Sequence, residues 1–580
     1  MSNSRWIVRE TDANLTLMSN VLHINEITAN VMANRGLRSK NAALSFLTPS
    51  EEKMHDIFKM KDVKKLVKRI AHAIPNEKIV IYGDYDVDGI MSTVILLKLL
   101  TNLGANCSYY IPHRMEEGYG LNKEAIKKLA EDGTDLLITV DNGIAAHYEL
   151  ELANEMGIET VIIDHHEPGF SGEGTNRKDI LPKAVAIVDP KQSDCDYPFK
   201  EMCAAGLAFK VAAAICDYLN IPFKQHDEFV VFAAIATICD IVDLKDENRV
   251  IVVNGLKILN QNKDINCGLS TLLTLRGYDE KPLDTFSVGF VIGPCLNATG
   301  RLGTAELAVK LLMTDHNNDK EEALKLAEEL INLNEARKQL TTECIDRAVK
   351  AIPEPLPKVI VILDKEAHES VAGIVAGKVR EITHRPTIIL TLGDGELKGS
   401  GRSVENYNLF EALYSNKGLF TRFGGHSMAA GLTLPEENVN KLREALNDEC
   451  ILTDDDFRPI IYVDKVLKIE DISLSLSGEL EKLAPFGKGN NEPFFITYGL
   501  MVESVRVLDE KRTLIFSFAN GHKKLKGIAF GLNEFYHEAI KKADIKTNSG
   551  FCMDIVYGIE TNVWNGNVSV QVRVRDFRVS

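Results

Sequence analysis

The run IVIYGDYDVDGIMST sets three carboxylates two residues apart, Asp84, Asp86 and Asp88, at the end of an apolar stretch. Like charges about 5 Å apart, in an effective dielectric near 20, repel by roughly 3 kcal/mol per pair. Something must offset that repulsion. The spacing D-x-D-x-D-G opens an EF-hand calcium loop, which takes a bidentate glutamate at its twelfth position. Here the twelfth position is Ile95, and the residues before Asp84 read as a strand rather than a helix. The calcium loop fails, and a solvated acidic turn or part of a metal site remains.

Three further clusters weigh on that choice. VDNG places Asp141 at a second strand end, DHHEP places Asp164, His165 and His166 at a third, and Asp240 closes the apolar run VVFAAIATICDIVDL. A lone buried histidine is more often structural than a ligand, and Asp240 by itself reads as an ordinary helix terminus. Together, several carboxylates with one or two imidazoles at one sheet edge make a divalent-metal site. Mixed oxygen and nitrogen donors favour Mn²⁺ over calcium. The donors outnumber the needs of one ion. Two ions about 3.5–4 Å apart, sharing a carboxylate, is the usual arrangement for phosphoester hydrolysis.

The elements that carry these residues follow a simple pattern. KIVIYG, DLLITV and ETVIID are short β-branched runs, each followed by a polar turn and a helical stretch. That pattern predicts a doubly wound parallel sheet, whose ligands bind at the carboxyl ends of the strands. A charged segment, DKEEALKLAEELINLNEARKQLTTECIDRAVKAI, follows as one long helix with Leu324, Ala327, Leu330 and Ile331 at helical spacing, and PEPLP closes it. A second, smaller α/β segment begins at KVIVILD and holds two glycine-rich stretches. From about Phe457 the pattern is mostly strands: NVSVQVRVRDF alternates with period two and WNGN reads as a hairpin turn, so a small β-barrel or sandwich is expected.

Bulk properties set the outer limits. The 580 residues suit three or four domains, and 45% apolar with 26% charged residues is ordinary globular composition. Ten scattered cysteines without a CxxC pair argue against a disulfide scaffold. The first residues show no signal-peptide pattern, and FVVFAAIATIC is too short to span a bilayer, so a cytoplasmic protein is expected. The net charge of −16 argues against a protein that coats nucleic acid along its whole surface, yet leaves room for a local basic groove.

GDYDVDG, VDNG, DHH and ATICDIVDL resemble, in order, the four motifs of the DHH phosphoesterase superfamily. YYIPHRMEEGYGLN, CDYPFKEMCAAGLAFK, IGPCLNATGRLG, GSGRS, RFGGHSMAAGL and PFGKGNNEPFF resemble those of its RecJ family of single-strand-specific exonucleases, from about Leu37 to the C-terminus. The resemblance implies an N-terminal segment over 1–75, a DHH catalytic domain over 76–311 and a connecting helix over 312–352. A DHHA1 domain over 353–456 and a C-terminal OB-fold over 457–580 complete the expected order. It implies 5′-to-3′ degradation of single-stranded DNA to mononucleotides, in recombination and repair, with two Mn²⁺ or Mg²⁺ ions. It further implies a monomer that works with a single-strand-binding protein and a DNA helicase, away from membranes.

Carried over by position, Asp84, Asp86 and Asp141 would serve one metal, and Asp88, Asp141, His165 and Asp240 the other. His166 would face the scissile phosphate, and Asp164 would orient a histidine from behind. Arg114, Ser400 and Arg402 would hold the 5′ phosphate, with Asn297, Arg301 and His426 as strand contacts; a structural turn at Gly424 and Gly425 is the alternative for His426. Lys511, Arg512, Lys523, Lys524 and Lys526 would either track the DNA backbone or form a solvated rim. Two positions depart from the pattern. Cys295 stands where the family often has arginine, which would weaken one phosphate contact. Tyr82 stands where other superfamily members place a histidine ligand. The rival readings are a nanoRNase or cyclic-dinucleotide phosphodiesterase, usually much shorter chains, and a DHH protein that only binds DNA.

Overall fold

The two ends of the chain fold together. In the computed structural model, Met1–Ser50 and Arg458–Ser580 form one unit and Glu51–Phe457 another. The structure describes residues 4–114, 116–118, 120–172, 178–393 and 395–579. In the first unit, strand β1 (Arg5–Val8) runs parallel to Ile460–Val463. Helix Glu26–Asn34 is buried along most of its length and packs on helix Leu474–Glu481. Met32 and Ile27 share one core with Leu476, Leu480 and Tyr557. Glu479 ties the two helices by accepting from Asn25 N–H at 2.6 Å and Thr28 Oγ1 at 3.0 Å.

The second unit begins with the expected parallel sheet. Its strands are β2 (Lys78–Tyr82), β3 (Asn106–Tyr110), β4 (Leu136–Val140), β5 (Glu159–Ile163) and β6 (Ala186–Val188), in the order β3-β2-β4-β5-β6. Both faces are covered, so the central strands read as unbroken apolar runs. Ile79 and Ile81 face one core, with Ile90, Met91 and Val94 of helix α1 (Val87–Asn102); Val80 and Tyr82 face the other, with Leu121 and Ile126. The chain leaves β2 toward β3 and returns to β4 on the other side. The crevice at that switch point, beyond the carboxyl ends of β2 and β4, is where such sheets bind ligands.

Helices α2 (His147–Glu155), α3 (Ala204–Tyr218), α4 (His226–Cys239) and α5 (Gly293–Leu302) are among the helices that follow in the first half of this unit. Helix α6 (Lys320–Lys350) matches the expected long helix but is more than a connector. Its first half adds Ala323, Leu326, Ala327 and Leu330 to the core of the parallel sheet, and its second half adds Cys344 and Ala348 to the next core. Of the positions expected inside, Leu324 is exposed, because the buried seam runs one residue earlier, through Ala323 and Leu326. The second sheet holds β7 (Ile360–Leu363), β8 (Thr387–Gly393), β9 (Glu396–Arg402), β10 (Arg422–Gly425) and β11 (Ala429–Leu434) in the order β10-β11-β9-β8-β7, with helix α7 (Glu369–Thr383) packed on β8 and β9.

The C-terminal strands close into the expected barrel. They are β12 (Ile460–Val463), which pairs with β1, and the barrel strands β13 (Phe495–Leu508), β14 (Thr513–Asn520), β15 (Lys523–Phe530), β16 (Phe551–Trp564) and β17 (Asn567–Val579). The order β13-β14-β15-β17-β16 returns to β13 through a β13–β16 pairing. The WNGN turn has Asn565 at φ 48° and Gly566 at φ 77°, the left-handed pair that a two-residue hairpin requires. All ten cysteines are free thiols, and no described helix is long and apolar enough to cross a membrane.

Because Met32 is fully buried where the arm joins the barrel unit, Met32→Ala should destabilise that unit by about 2–5 kcal/mol. Calorimetry should show one transition moving down while the transition of the unit Glu51–Phe457 stays in place.

Candidate active site

The chain leaves β2 at Gly83 and turns at once into α1. A Cβ at Gly89 would lie 2.6 Å from the Asp84 backbone, so only glycine lets the loop cross the first helical turn here. Asp86 caps α1: its Oδ1 accepts from Asp88 N–H at 2.9 Å and Gly89 N–H at 3.1 Å. Asp88 is buried inside the first turn, and its carboxylate accepts from Ala204 N–H at 2.7 Å and Ala205 N–H at 2.8 Å. Those two amides open α3 and have no partner within their own helix. Two helix N-termini thus carry part of the aspartate charge. Asp84 is less well served: the Tyr85 amide holds part of its charge, but its Oδ1 is buried without a hydrogen-bond partner among the described residues.

Asp141 follows β4 in the left-handed region, at φ 62°, with Gly143 behind it at φ 109°. A Cβ on Gly143 would meet Thr139 Oγ1 at 2.4 Å. Backbone strain of this kind, of order 1–3 kcal/mol, persists where the surroundings fix it. His165, after β5, places Nε2 3.1 Å from Asp141 Oδ1, 3.6 Å from Asp88 Oδ2 and 3.9 Å from Asp240 Oδ2. Asp240 is the residue that ends α4.

Three overlapping sets have donor atoms within 4.8 Å of one another: Asp84 with Asp86 and Asp141, Asp88 with His165 and Asp240, and Asp141 with His165 and His166. The fold therefore brings all six sequence-predicted metal ligands to one place. Burial, then neighbouring carboxylates, push Asp84 and Asp141 well above the usual range. The same causes take Asp88 to about 6 and Asp240 to about 7. Asp84 Oδ1 without a donor, and an oxygen-rich set with one or two imidazoles, fit a pair of small divalent cations.

Asp164 stands behind this cluster. Its Oδ1 lies 2.8 Å from His166 Nδ1 and accepts from His165 N–H at 2.8 Å, and its Oδ2 accepts from Ile144 N–H at 3.0 Å. Burial alone would raise Asp164, but the bond to His166 and the charges around it bring it down to about 2. His166 goes the other way: burial lowers it, but the bond to Asp164 outweighs that and takes it up to about 9.

Next to the cluster lies a cleft of arginines. The Arg114 guanidinium sits over the Tyr85 ring at 5.0 Å, Arg301 donates to Ser370 O at 2.6 Å, and Arg402 donates to Gly401 O at 2.8 Å and Ser400 Oγ at 3.3 Å. Burial, then the charges of Arg114, Arg337 and Arg402, pull Arg301 down to about 10. Among the described residues no carboxylate forms an ion pair with Arg301, Arg337 or Arg402. Two glycines make room: a Cβ on Gly300 would meet Tyr85 O at 2.5 Å, and one on Gly373 would meet Arg402 Nη2 at 2.8 Å.

Comparison with known proteins agrees with this order of parts. Models of the DHH family N-terminal domain, the DHHA1 domain and the RecJ OB domain match residues 78–237, 356–451 and 463–576. The single-stranded-DNA-specific exonuclease RecJ of Bacillus subtilis is 37% identical over an alignment covering 100% of this chain and 71% of that protein. The chain belongs to the RecJ family. The RecJ of Escherichia coli is 30% identical, with 93% of each chain covered. The crystal structure of Thermus thermophilus RecJ in complex with Mn²⁺ superposes with a TM-score of 0.82 at 29% identity, over 99% of this chain and 80% of that one.

Other residues singled out by the RecJ resemblance take different places. Asn297 turns its amide oxygen onto Val87 N–H at 3.2 Å and so braces the aspartate loop. His426 is exposed on the β10–β11 turn, where its N–H donates to Ala429 O, and no hydrogen bond or ion pair joins its ring to the site among the described residues. Cys295 is buried, with Sγ against Val291 O and Asn334 Nδ2. Its side chain is taken up in the packing between α5 and α6. Tyr82 points to the far face of the sheet, with its hydroxyl donating to Gly120 O. Two positions of IPHRMEEGYG, 115 and 119, lie outside the described residues. Sequence reading missed Arg337, hidden in the charged pattern of α6, and the amides of Ala204 and Ala205; the small pair in CAAGLAFK was their only signal.

In metal-free protein, Asp164→Asn should bring the His166 pKa from about 9 toward the ordinary 6.5. An NMR titration of the ring reads this directly. The sign follows from linkage: a raised histidine adds stability that is complete below pH 6.5 and fades as pH rises through 9, so the variant should lose stability at pH 6 and little at pH 10.

Proposed function

We propose that this chain is a metal-dependent exonuclease that degrades single-stranded DNA from its 5′ end to mononucleotides, in DNA recombination and repair. The observation that carries the reading is the arginine cleft set beside a carboxylate–imidazole cluster in one folded unit, in a chain of RecJ family organisation. Asp84, Asp86 and Asp141 would hold one Mn²⁺ or Mg²⁺, and Asp88, Asp141, His165 and Asp240 the second. When bound, the two ions supply positive charge against phosphoryl oxygens and acidify water.

The side chains do the rest. Asp88 is fixed by the amides of α3 and Asp141 by its strained turn, so their oxygens need no rearrangement to receive cations. Asp164 keeps His166 protonated and occupies Nδ1, which leaves Nε2–H as the donor toward a phosphate oxygen. Arg114, Ser400 and Arg402 hold the 5′ phosphate, with Arg301 and Arg337 adding charge. Planar forks suit a phosphate, and an end held there sets the bond to be cut at a fixed distance. The same reading takes a single-strand-binding protein and a DNA helicase as partners, a monomer as the working form and the cytoplasm as its place.

The test is a digestion series with 5′- and 3′-labelled single strands and duplexes in Mn²⁺. Loss of the 5′ label from long single strands is expected; activity limited to dinucleotides, or equal digestion of blunt duplex, would overturn the reading. Asp141→Ala should reduce cleavage to the level seen with chelator, while the circular dichroism spectrum stays unchanged. Arg402→Ala should raise KM for 5′-phosphorylated strands by about 10- to 150-fold, the effect of one charge-assisted contact of roughly 1.5–3 kcal/mol. It should also remove the preference over 5′-hydroxyl ends.

A further inference from the structure

The sheet β10-β11-β9-β8-β7 has two edges, and the chain treats them differently. Along β7 the edge is covered by side chains of helix Val439–Asp448. Asn447 Oδ1 accepts from Val359 N–H at 3.0 Å, its Nδ2 donates to Val359 O at 3.0 Å, and Arg443 Nε donates to Val361 O at 3.1 Å. These groups take the place of a further strand. An open edge is a template for another chain, and folded proteins cover or blunt such edges.

The opposite edge, β10, is left open. His426 N–H donates to Ala429 O at 2.8 Å, and the pairs Gly424 with Gly431 and Arg422 with Thr433 continue the same register. Residues that bond inward alternate along an antiparallel pair, so the N–H and C=O groups of Phe423 and Gly425 point away from the sheet. Among the described residues those groups have no hydrogen-bond partner, and Arg422, Gly424 and Gly425 are exposed.

An aromatic cluster lines one face of this edge. The Phe423 ring centroid lies 5.5 Å from Phe420, 6.0 Å from Phe410 and 6.4 Å from Tyr414, the last two on helix Leu409–Ser415. Tyr414 is 55% exposed, and Lys417 sits over its ring at 5.1 Å. Side chains alternate along a strand, so Arg422 projects from the other face. Among the described residues neither Lys417 nor Arg422 forms an ion pair, and Glu411 is the one acid on the helix beside them.

We propose that β10 is a docking edge for an extended segment of a partner protein. The segment adds to the sheet as a sixth strand, sets apolar side chains at alternate positions against Tyr414 and Phe423, and sets acidic side chains between them toward Arg422. In this mode of recognition the backbone bonds supply affinity, and the side-chain contacts on each face select the sequence. The strand itself, RFGG, carries no acid, so a second copy of this chain does not match its own edge. Docking here needs neither a metal ion nor a nucleic acid, and it stands apart from the exonuclease reading.

The experiment titrates the full chain with a fluorescein-labelled octapeptide in which aspartate alternates with phenylalanine or valine, and follows hydrogen exchange over residues 421–426. Binding should protect that stretch. Tyr414→Ala and Arg422→Glu should each weaken binding about ten-fold, with unchanged melting curves, since both side chains are exposed. On the unaltered chain, N-methylation of every second peptide residue should abolish binding in one phase and spare it in the other. Equal binding of a peptide with lysine for aspartate, no protection of residues 421–426, or affinity untouched by both variants would overturn the proposal. So would protection of the same stretch by oligo-dT alone, or by self-association without peptide.

Discussion

Like charges held close together in a buried crevice govern this fold. Four carboxylates, from Asp84, Asp86, Asp88 and Asp141, converge beyond the ends of β2 and β4, and Asp240 adds a fifth. Backbone dipoles offset part of the repulsion, since Asp86 caps its own helix and Asp88 caps α3. Each device fixes other parts of the sequence: glycine at 89, small residues at 204 and 205, and a left-handed aspartate at 141. What the dipoles leave uncompensated is the charge that a divalent pair would take up. The sheet edge is thus organised around a deficit of positive charge, and the neighbouring cleft around an excess of it.

That opposition explains how the halves of the catalytic unit depend on one another. Arg301 belongs to the helix that braces the aspartate loop through Asn297, yet it donates to Ser370 at the start of α7. Arg402 lies against α7 at a glycine. Helix α6 contributes to both cores, so the two sheets share one rigid element. The arginines are held in mutual repulsion by packing, as the aspartates are.

Much of this was legible in the sequence, for identifiable reasons. The parallel sheet showed in its β-branched runs, the hairpin in WNGN, and the ligands in residue types rarely placed at successive strand ends. Other features left no such trace. Leu324 fits a helical period yet faces solvent, because one residue of phase decides which stripe is buried. Cys295 and Asn297 sit in a motif that looks like a binding loop, and only packing turned them inward. Arg337 is one charge among many on α6, and its meaning depends on three arginines far away in sequence. The union of residues 4–50 with the barrel unit is a long-range contact that no local pattern encodes.

That union also has a consequence for how the protein is made. Residues 4–50 leave the ribosome before the barrel strands that share their core, with the whole of Glu51–Phe457 made in between. At about 5–20 residues per second, the apolar face carrying Ile27, Val31 and Met32 waits roughly 20 to 80 seconds for its partners. During synthesis this short stretch is a standing exposure of the nascent chain to chaperones and to misassociation, until the barrel strands of its own core are made.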